Sequence, residues 1–206
     1  MAKFPEPDRD RLTVIGPKVF TLPRDSRWWR IYFSAPPHPA RWNDFRNYGP
    51  VPTARIDPHL LPVSMQTRSV LYAAVNAPVC LAEVFQDRRR VSFEAVPRLA
   101  CFRLDRSVHV LDLRGLWPTR AGASQAVASG PRARSQRWAR AVADLYDVEG
   151  VIYPSSMHGG DDALALWDCP DAVRSSQDLD VALDDARLTA ALYRVGRTIG
   201  YSIASA

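Results

Sequence analysis

Proline placement is the strongest constraint on how this chain folds. Of the 17 prolines, 11 lie in the first 62 residues, where their missing N–H groups and fixed backbone angles exclude long helix or strand interiors. The N-terminal third is therefore predicted to consist mostly of loops, with residues 34–67 as one long excursion. A loop of this length inside a compact domain is usually functional, or it hides short helical turns.

The remaining two thirds of the chain show patterns typical of strands and helices. Segment 28–33 is aromatic and β-branched and is predicted to be a strand, and segment 69–75 is predicted to be a buried strand. Asn76 supplies a helix cap, so a helix is expected from there to about Arg89. Further strands are predicted at 91–95, 98–104, 108–113, 150–153 and 163–167, and helices at 121–128, 132–146 and 184–195, with a final strand or frayed tail at 198–203.

Length and cysteine content exclude several classes of protein. A chain of 206 residues can bury about 70% of its unfolded surface and needs no disulfide staples. Cys80, Cys101 and Cys169 are odd in number, far apart and set among apolar residues, which is typical of buried thiols in a reducing compartment. The chain starts without an apolar leader and contains no long apolar stretch. We therefore expect a cytoplasmic protein with no membrane segment.

The positive charge does not by itself identify a ligand. Arginine supplies 25 of the 27 basic residues, and the formal net charge is +5. Arginine is suited to bidentate contacts with carboxylates or phosphates, but a genome-wide base bias produces the same excess. The run Arg88–Arg90 suits a solvated helix end as well as a phosphate contact. The four histidines are scattered, so no metal site is predicted.

Two charged residues in apolar surroundings are the first candidates for a site. Glu83 lies in the predicted helix among apolar neighbours, and burial of an ionised carboxylate without a partner costs several kcal/mol. It therefore needs a cation or a proton, as active-site carboxylates often do, unless it belongs to a solvent-facing stripe. Arg30 lies among aromatic residues on a predicted strand and needs an acceptor, either a ligand phosphate or an internal carboxylate.

The loops add polar candidates. In Ala54–Pro58 the proline favours an extended Asp57, so Arg55 either faces a ligand or forms a turn pair with that aspartate. Arg41, which is followed by Trp-Asn, begins a similar but less specific cluster. Tyr72 lies on the strand before the helix of Glu83 and is either a core residue or part of the site.

The loop 154–162 follows a predicted strand and is the expected working surface. It joins Ser155 and Ser156 to two glycines, which lets hydroxyl donors and backbone approach a ligand closely. A G-x-S-x-G motif is missing from the sequence, so a serine hydrolase is not predicted.

Taken in order, six short motifs resemble the RES domain family, named for an arginine, a glutamate and a serine. The resemblance spans about residues 28–170. It leaves 1–27 as an N-terminal extension and 171–206 as a C-terminal strand and helix segment of one domain, 1–206. The motifs are Arg30-Ile-Tyr32, Arg55-Ile-Asp-Pro58, Val70-Leu-Tyr-Ala73, Leu81-Ala-Glu83, Val110-Leu-Asp-Leu113 and Gly150-Val-Ile-Tyr-Pro-Ser-Ser156.

The resemblance implies an α+β fold with a mixed, largely antiparallel split sheet and flanking helices, similar to the core of ADP-ribosyltransferase toxins. It also implies the toxin half of a bacterial toxin–antitoxin pair. Such a toxin forms a hetero-oligomeric complex with a Xre-type antitoxin, which blocks the active site and makes any DNA contacts. The implied activity is depletion of NAD+, which is the substrate; neither a true cofactor nor a metal is implied.

The resemblance also assigns roles to single residues. The second family arginine more often stands in a Gly-Arg-Trp-Asn-Pro string, so Arg41 remains the alternative to Arg55. Ser156 remains the alternative to Ser155. The implied set consists of Arg30 and Arg55 as clamps for the phosphates and ribose of NAD+, Tyr32 in the binding site, Tyr72 near the nicotinamide, Glu83 as the acidic residue and Ser155 as the family serine.

These residue types fit cleavage of the bond between nicotinamide and ribose. The transition state has oxocarbenium character, which a carboxylate can stabilise. The acceptor stays open: phosphate would make the protein an NAD+ phosphorylase, water an NAD+ glycohydrolase, and a macromolecule an ADP-ribosyltransferase. A non-catalytic partner of a DNA-binding antitoxin is the alternative from another class.

Overall fold

A computed structural model describes residues 3–204, which form six α-helices and eleven strands. The helices are α1 (Arg9–Ile15), α2 (Ala77–Val84), α3 (Trp117–Arg120), α4 (Ala126–Ser129), α5 (Arg132–Leu145) and α6 (Thr189–Ile199). The strands are β1 (Val19–Leu22), β2 (Arg27–Phe33), β3 (Arg46–Gly49), β4 (Ser64–Ala74), β5 (Arg90–Val91), β6 (Pro97–Arg103), β7 (Val108–Asp112), β8 (Gly150–Pro154), β9 (Asp162–Trp167), β10 (Gln177–Ala182) and β11 (Ser202–Ile203).

Nine strands form one large mixed sheet. Their order is β1-β7-β8-β9-β4-β2-β6-β10, and β3 pairs with β4 beside this path. Strands β7 and β8 are parallel, and the other neighbours are antiparallel. Strands β5 and β11 form a separate parallel pair. The α+β class with a largely antiparallel sheet is therefore confirmed.

Strands β2 and β4 diverge near the middle of this sheet. They share one residue pair, Trp29 with Ala74. Beyond it, residues 30–33 of β2 pair with β6, and residues 70–73 of β4 pair with β9. Because each strand is held by its outer neighbour, the two inner edges separate and leave a gap between them. This is the split expected from the resemblance.

Alternating side chains of the strands enter different parts of the core. On β8, Val151 packs with Trp117 of α3 and Trp138 of α5, whereas Ile152 packs with Phe102 of β6 and other strand residues. The sheet therefore has a buried layer on each side of these strands.

Helix α2 packs into a third apolar cluster. Its residues Val79 and Leu81 contact a group that includes Ile31 of β2, Leu99 of β6 and Leu192 of α6. These contacts hold the helix beside β2, close to the gap between β2 and β4. Helix α2 carries Glu83.

The predicted elements of the central region are largely present. The predicted strand at 28–33 is β2, and the strand at 69–75 forms the second half of the longer β4. Strands β6, β7, β8 and β9 and helix α5 also lie where the sequence places them. These segments have strong local patterns, which explains the agreement.

The strand predicted at 91–95 is wrong beyond its first residue. Strand β5 ends at Val91, and the chain then turns, with the Val96 amide donating to the Phe93 carbonyl at 3.3 Å. Ala95 and Val96 adopt positive φ angles of 58° and 49°, which a strand cannot contain.

The predicted helix boundaries also need correction. Helix α2 ends at Val84 rather than near Arg89, which has a positive φ of 46°. The helix predicted at 121–128 is replaced by α3 and α4, with Gly122 (φ 90°) in the turn between them. Helix α6 runs over residues 189–199 rather than 184–195 and is followed by the short strand β11.

The N-terminal third is more ordered than the prolines suggest. Helix α1 and strands β1 and β3 lie in it, and the excursion at 34–67 contains β3 rather than helical turns. Strand β1 pairs with β7, and β10 pairs with β6. Residues on both sides of the predicted core at 28–170 therefore complete the same sheet.

The three cysteines are buried and unbridged, as expected. Within the part of the chain that the structure describes, every helix is too short or too polar to cross a lipid bilayer.

Gly150 begins β8 in a conformation that requires glycine, and its replacement tests the pairing of β8 with β9. Its φ is +150°, and a Cβ there would overlap the carbonyl oxygen of Ala165 on β9. We expect Gly150→Ala to lower the free energy of unfolding in urea by more than about 2 kcal/mol. Gly200→Ala is the matched control, because Gly200 has φ +73° but open space around it. Equal losses in both variants would contradict the steric argument.

Candidate active site

A cleft of about 1190 Å³ opens where β2 and β4 diverge. Strand β2, strand β4, helix α2, the start of α5 and the segments before and after β3 supply its walls. The charged and aromatic side chains that line it include Arg30, Arg46, Arg55, Tyr72, Glu83, Arg132 and Tyr153.

Glu83 reaches this cleft from helix α2. The helix begins two residues after β4, and its cap residue Asn76 accepts a hydrogen bond from the Val79 amide at 2.9 Å. The four residues before it, Val79–Ala82, are buried, whereas Glu83 is half-buried at the cleft wall and Val84 is exposed. The apolar sequence around Glu83 is therefore a core-facing helix, with the carboxylate at its border.

Ser155 holds the carboxylate of Glu83. Its hydroxyl lies 2.5 Å from Glu83 Oε1 and also accepts hydrogen bonds from the amides of Met157 (3.1 Å) and His158 (3.2 Å). Because the serine oxygen already accepts two bonds, its hydrogen points to Glu83. Ser155 is itself buried, and its own amide donates to the carbonyl of Asp161 at 2.7 Å. The loop after β8 thus fixes the orientation of one carboxylate oxygen.

Arg30 is a cation held by neutral groups. Its Nη1 donates to the carbonyls of Trp42 (3.0 Å) and Asp44 (2.8 Å). Burial lowers the pKa of Arg30 to about 10, so the side chain stays charged at neutral pH. Its positive charge, desolvated by the protein, makes this part of the cleft attractive to an anion.

Arg55 is the second such cation. It is half-buried and donates to the carbonyl of Gly130 just before α5. Burial, followed by repulsion from Arg132, lowers the pKa of Arg55. Within the described residues, neither Arg30 nor Arg55 has a carboxylate within 4.0 Å, the limit for an ion pair.

Tyr72 presents a buried hydroxyl to the same space. Among the described residues, its oxygen has no hydrogen-bond partner. Burial raises the pKa of Tyr72 well above its ordinary value. A buried hydroxyl without a partner costs about 1–3 kcal/mol, and a ligand with a polar atom at this point would remove that cost.

The other residues named from the sequence lie differently. Tyr32 borders the cleft, but its hydroxyl donates to the carboxylate of Asp180 at 2.8 Å and accepts from Arg98 Nε at 3.0 Å. Arg41 is exposed and does not line the cleft, and Ser156 is exposed on the loop after β8. In each pair of alternatives, the structure therefore brings one residue to the site. These are Arg55 rather than Arg41, and Ser155 rather than Ser156.

Three further cleft residues are not among the site residues expected from the sequence. Arg46 pairs with Asp57, and Arg132 pairs with Asp87, each at 2.8 Å. Tyr153 is buried at the end of β8, and burial raises its pKa. No local signal separates these two arginines from the other 23; only the folding of distant segments brings them to the cleft.

Within residues 3–204, we find no group of three or more His, Cys, Asp or Glu side chains arranged to hold a metal ion. The residues that line the cleft offer cationic and hydroxyl donors, together with one half-buried glutamate, Glu83, and two exposed aspartates, Asp44 and Asp87. This chemistry suits an anionic organic ligand better than a metal.

Comparison with known proteins identifies the family. The model of the RES domain matches residues 20–186, and the chain therefore belongs to the RES domain family. Among solved structures, the chain is similar to the MbcT toxin in the crystal structure of the M. tuberculosis MbcT–MbcA toxin–antitoxin complex. The identity is 20% and the TM-score 0.58, over 92% of this chain and 96% of that chain. No curated protein matches the sequence.

The buried hydroxyl of Tyr72 predicts a loss of stability at alkaline pH. Its raised pKa means that the native state keeps a proton which the unfolded chain releases above about pH 10. The contribution of the protonated Tyr72 hydroxyl to the free energy of unfolding is therefore complete below pH 10, and it is lost as the pH rises further. Between pH 8 and pH 11, Tyr72→Phe should lose about 1 kcal/mol less free energy of unfolding than the wild type.

The measurement is urea unfolding at both pH values. Tyr193→Phe serves as the control, because that ring is exposed and its replacement should leave the pH dependence as in the wild type. Identical pH dependence of the wild type and Tyr72→Phe would contradict the burial argument.

Proposed function

We propose that this RES-domain protein is the toxin of a bacterial toxin–antitoxin pair and depletes NAD+ by cleaving the bond between nicotinamide and ribose. The observation that carries the proposal is the charge arrangement of the cleft. Glu83, oriented by Ser155, shares the cleft with Arg30 and Arg55, two desolvated cations that have no carboxylate within 4.0 Å among residues 3–204. A ligand with a cationic reaction centre and an anionic pyrophosphate matches both sets of charges.

The arginines would bind the pyrophosphate. Arg30 and Arg55 are already fixed by hydrogen bonds to backbone carbonyls, so little side-chain entropy is lost when they meet phosphate oxygens. Guanidinium groups suit phosphates because they can donate two parallel hydrogen bonds. The hydroxyl of Tyr72, which has no hydrogen-bond partner in the part of the chain that the structure describes, is available for a polar group of the substrate in the same cleft.

Glu83 would act on the reaction centre. As the bond between nicotinamide and ribose breaks, its electron pair leaves with nicotinamide, and positive charge develops on the ribose. A carboxylate held in place before the reaction stabilises that charge without having to reorient. Phosphate then bonds to the anomeric carbon to give ADP-ribose 1″-phosphate, or water does so to give ADP-ribose and a proton.

Ser155 would act as a positioning residue. Its hydroxyl is oriented by the amides of Met157 and His158 and donates to Glu83. It therefore keeps one carboxylate oxygen engaged and directs the other toward the cleft. A hydrogen bond to a charged acceptor of this kind contributes about 1.5–3 kcal/mol.

The basic cleft also suggests how an antitoxin would inhibit the protein. Four arginines line it, and Arg46 and Arg132 are already paired with aspartates. An acidic side chain or a chain terminus of a Xre-type partner could pair with Arg30 and Arg55 and exclude the substrate. Contacts with DNA would be left to the partner, and NAD+ as substrate places the activity in the cytoplasm.

Nicotinamide release from NAD+ tests the proposed activity. The wild type should release nicotinamide, and Glu83→Gln should do so at least about 100-fold more slowly, because the amide keeps the shape but loses the charge. Glu94→Gln is the matched control, since Glu94 is exposed and outside the cleft. No release by the wild type, with or without phosphate, would refute the proposal.

The products of the same assay distinguish the acceptors. Release that depends on phosphate and yields ADP-ribose 1″-phosphate identifies a phosphorylase, whereas release in phosphate-free buffer identifies a glycohydrolase. Label from NAD+ on a protein or RNA band would identify an ADP-ribosyltransferase. Full turnover by the purified toxin–antitoxin complex would argue against blocking by the partner.

The two adjacent serines give a matched test of the Glu83 contact. Ser155→Ala should lower kcat by about 10-fold to 100-fold, because Glu83 loses a charge-assisted hydrogen bond. Ser156→Ala should retain most of the activity, since that side chain is exposed. Steady-state kinetics of both variants provide the comparison. A larger loss in Ser156→Ala would reverse the assignment.

A further inference from the structure

Arg55 lies in a segment without regular secondary structure. Residues 50–63, between β3 and β4, contain neither helix nor strand. A side chain on such a segment can bind a ligand with a defined geometry only if other contacts fix the backbone. Two buried polar side chains supply these contacts, Asp57 from the segment itself and Gln136 from α5.

Asp57 contacts residues of the segment on both sides of Arg55. It is fully buried and accepts hydrogen bonds from the Val51 amide (3.0 Å), the His59 amide (3.2 Å), His59 Nδ1 (2.5 Å) and Arg46 Nη2 (2.8 Å). Burial alone would raise the pKa of Asp57, but Arg46 and the hydrogen bonds outweigh it and hold the pKa below its ordinary value. Asp57 is therefore a charged cross-link on either side of Arg55.

Gln136 binds the middle of the same segment. Its side-chain amide donates to the carbonyls of Val51 (2.9 Å) and Ala54 (2.7 Å). Gln136 is buried on helix α5, so these two bonds attach the segment to a rigid element. Ala54 directly precedes Arg55, and its carbonyl belongs to the peptide unit that sets the direction of the arginine.

The two contacts converge on one residue. Val51 donates its N–H to Asp57 and gives its carbonyl to Gln136. Neither Asp57 nor Gln136 lines the cleft, so neither is placed to touch a ligand there. Apolar residues could fill these buried positions without the cost of desolvating polar groups. What Asp57 and Gln136 add, and apolar residues could not, is the hydrogen bonding that places the segment.

We propose that Asp57 and Gln136 are positioning residues that set Arg55 for the pyrophosphate of the substrate. This inference rests on the proposed function for its ligand, but not for its geometry. Loss of either contact frees the backbone before Arg55, and the guanidinium then samples positions away from the phosphate. Small displacements of a binding group are enough to weaken binding strongly.

A double-mutant cycle tests this inference. Gln136→Met, which removes both donors at similar volume, should weaken the binding of ADP-ribose about tenfold and raise the KM for NAD+ more than it lowers kcat. Arg55→Met should weaken binding at least as much. If Gln136 acts through Arg55, the double variant should bind within about twofold of Arg55→Met alone. Titration calorimetry measures these affinities.

Ser135→Ala is the matched control. Ser135 is buried beside Gln136 on α5, but its hydroxyl donates to Pro131 within the helix start rather than to the segment. It should leave ADP-ribose affinity as in the wild type. The inference would be overturned if the affinity losses of the two single variants multiplied in the double variant. It would also be overturned if Gln136→Met lowered the melting temperature but left the affinity unchanged.

A measurement without ligand separates this inference from the proposed function. The Arg55 Nε–Hε resonance should be sharp in ¹⁵N spectra of the wild type and of Ser135→Ala, and broadened or shifted in Gln136→Met and in Asp57→Asn. An unchanged resonance in Gln136→Met overturns the positioning role, even if Asp57→Asn fails to fold. Absence of ADP-ribose binding by the wild type would instead refute the proposed function, and the resonance would still decide the positioning of Arg55.

Discussion

The divergence of β2 and β4 is the constraint on which the rest of the site depends. The strands share one pair, Trp29 with Ala74, and each then follows its outer neighbour. A continuous sheet would pair the edges that carry Arg30 and Tyr72 and would leave no space between them. Helix α2 starts directly after β4, at the closed end of the gap, so Glu83 meets the cleft within two turns. One interruption of backbone pairing therefore creates the cavity and places three of its side chains.

Three charged side chains of the cleft, Arg30, Arg55 and Glu83, have no ion-pair partner among the described residues. Arg30 and Arg55 donate to backbone carbonyl groups, and Glu83 accepts from a serine hydroxyl. Elsewhere the chain pairs its charges readily, as in the contacts of Arg106 with Glu149 and Asp171. The difference is typical of a site in which binding groups are arranged in advance and await a ligand.

Local sequence patterns predicted much of this arrangement. The apolar runs of β4, β8 and β9 and the helical spacing of α5 need no tertiary information, and the apolar neighbours of Glu83 mark that carboxylate from the sequence alone. Strand β10 is not predicted because half of its residues are polar and it lies at the edge of the sheet, paired only with β6 among the described strands. Arg46, Arg132 and Gln136 were missed because their roles arise from contacts between segments that are distant in sequence.

The contact between Ser155 and Glu83 has a consequence for synthesis of the chain. The two residues are 72 positions apart, and the helix that fixes the Arg55 segment is made between them. During translation, Glu83 is therefore synthesised long before Ser155, which orients its carboxylate. Chains that stop before β8 contain Arg30 and Arg55 but never the complete cleft. The proposed site is thus complete only after more than three quarters of the protein has been translated, because β9, which holds β4 at one edge of the gap, follows Ser155.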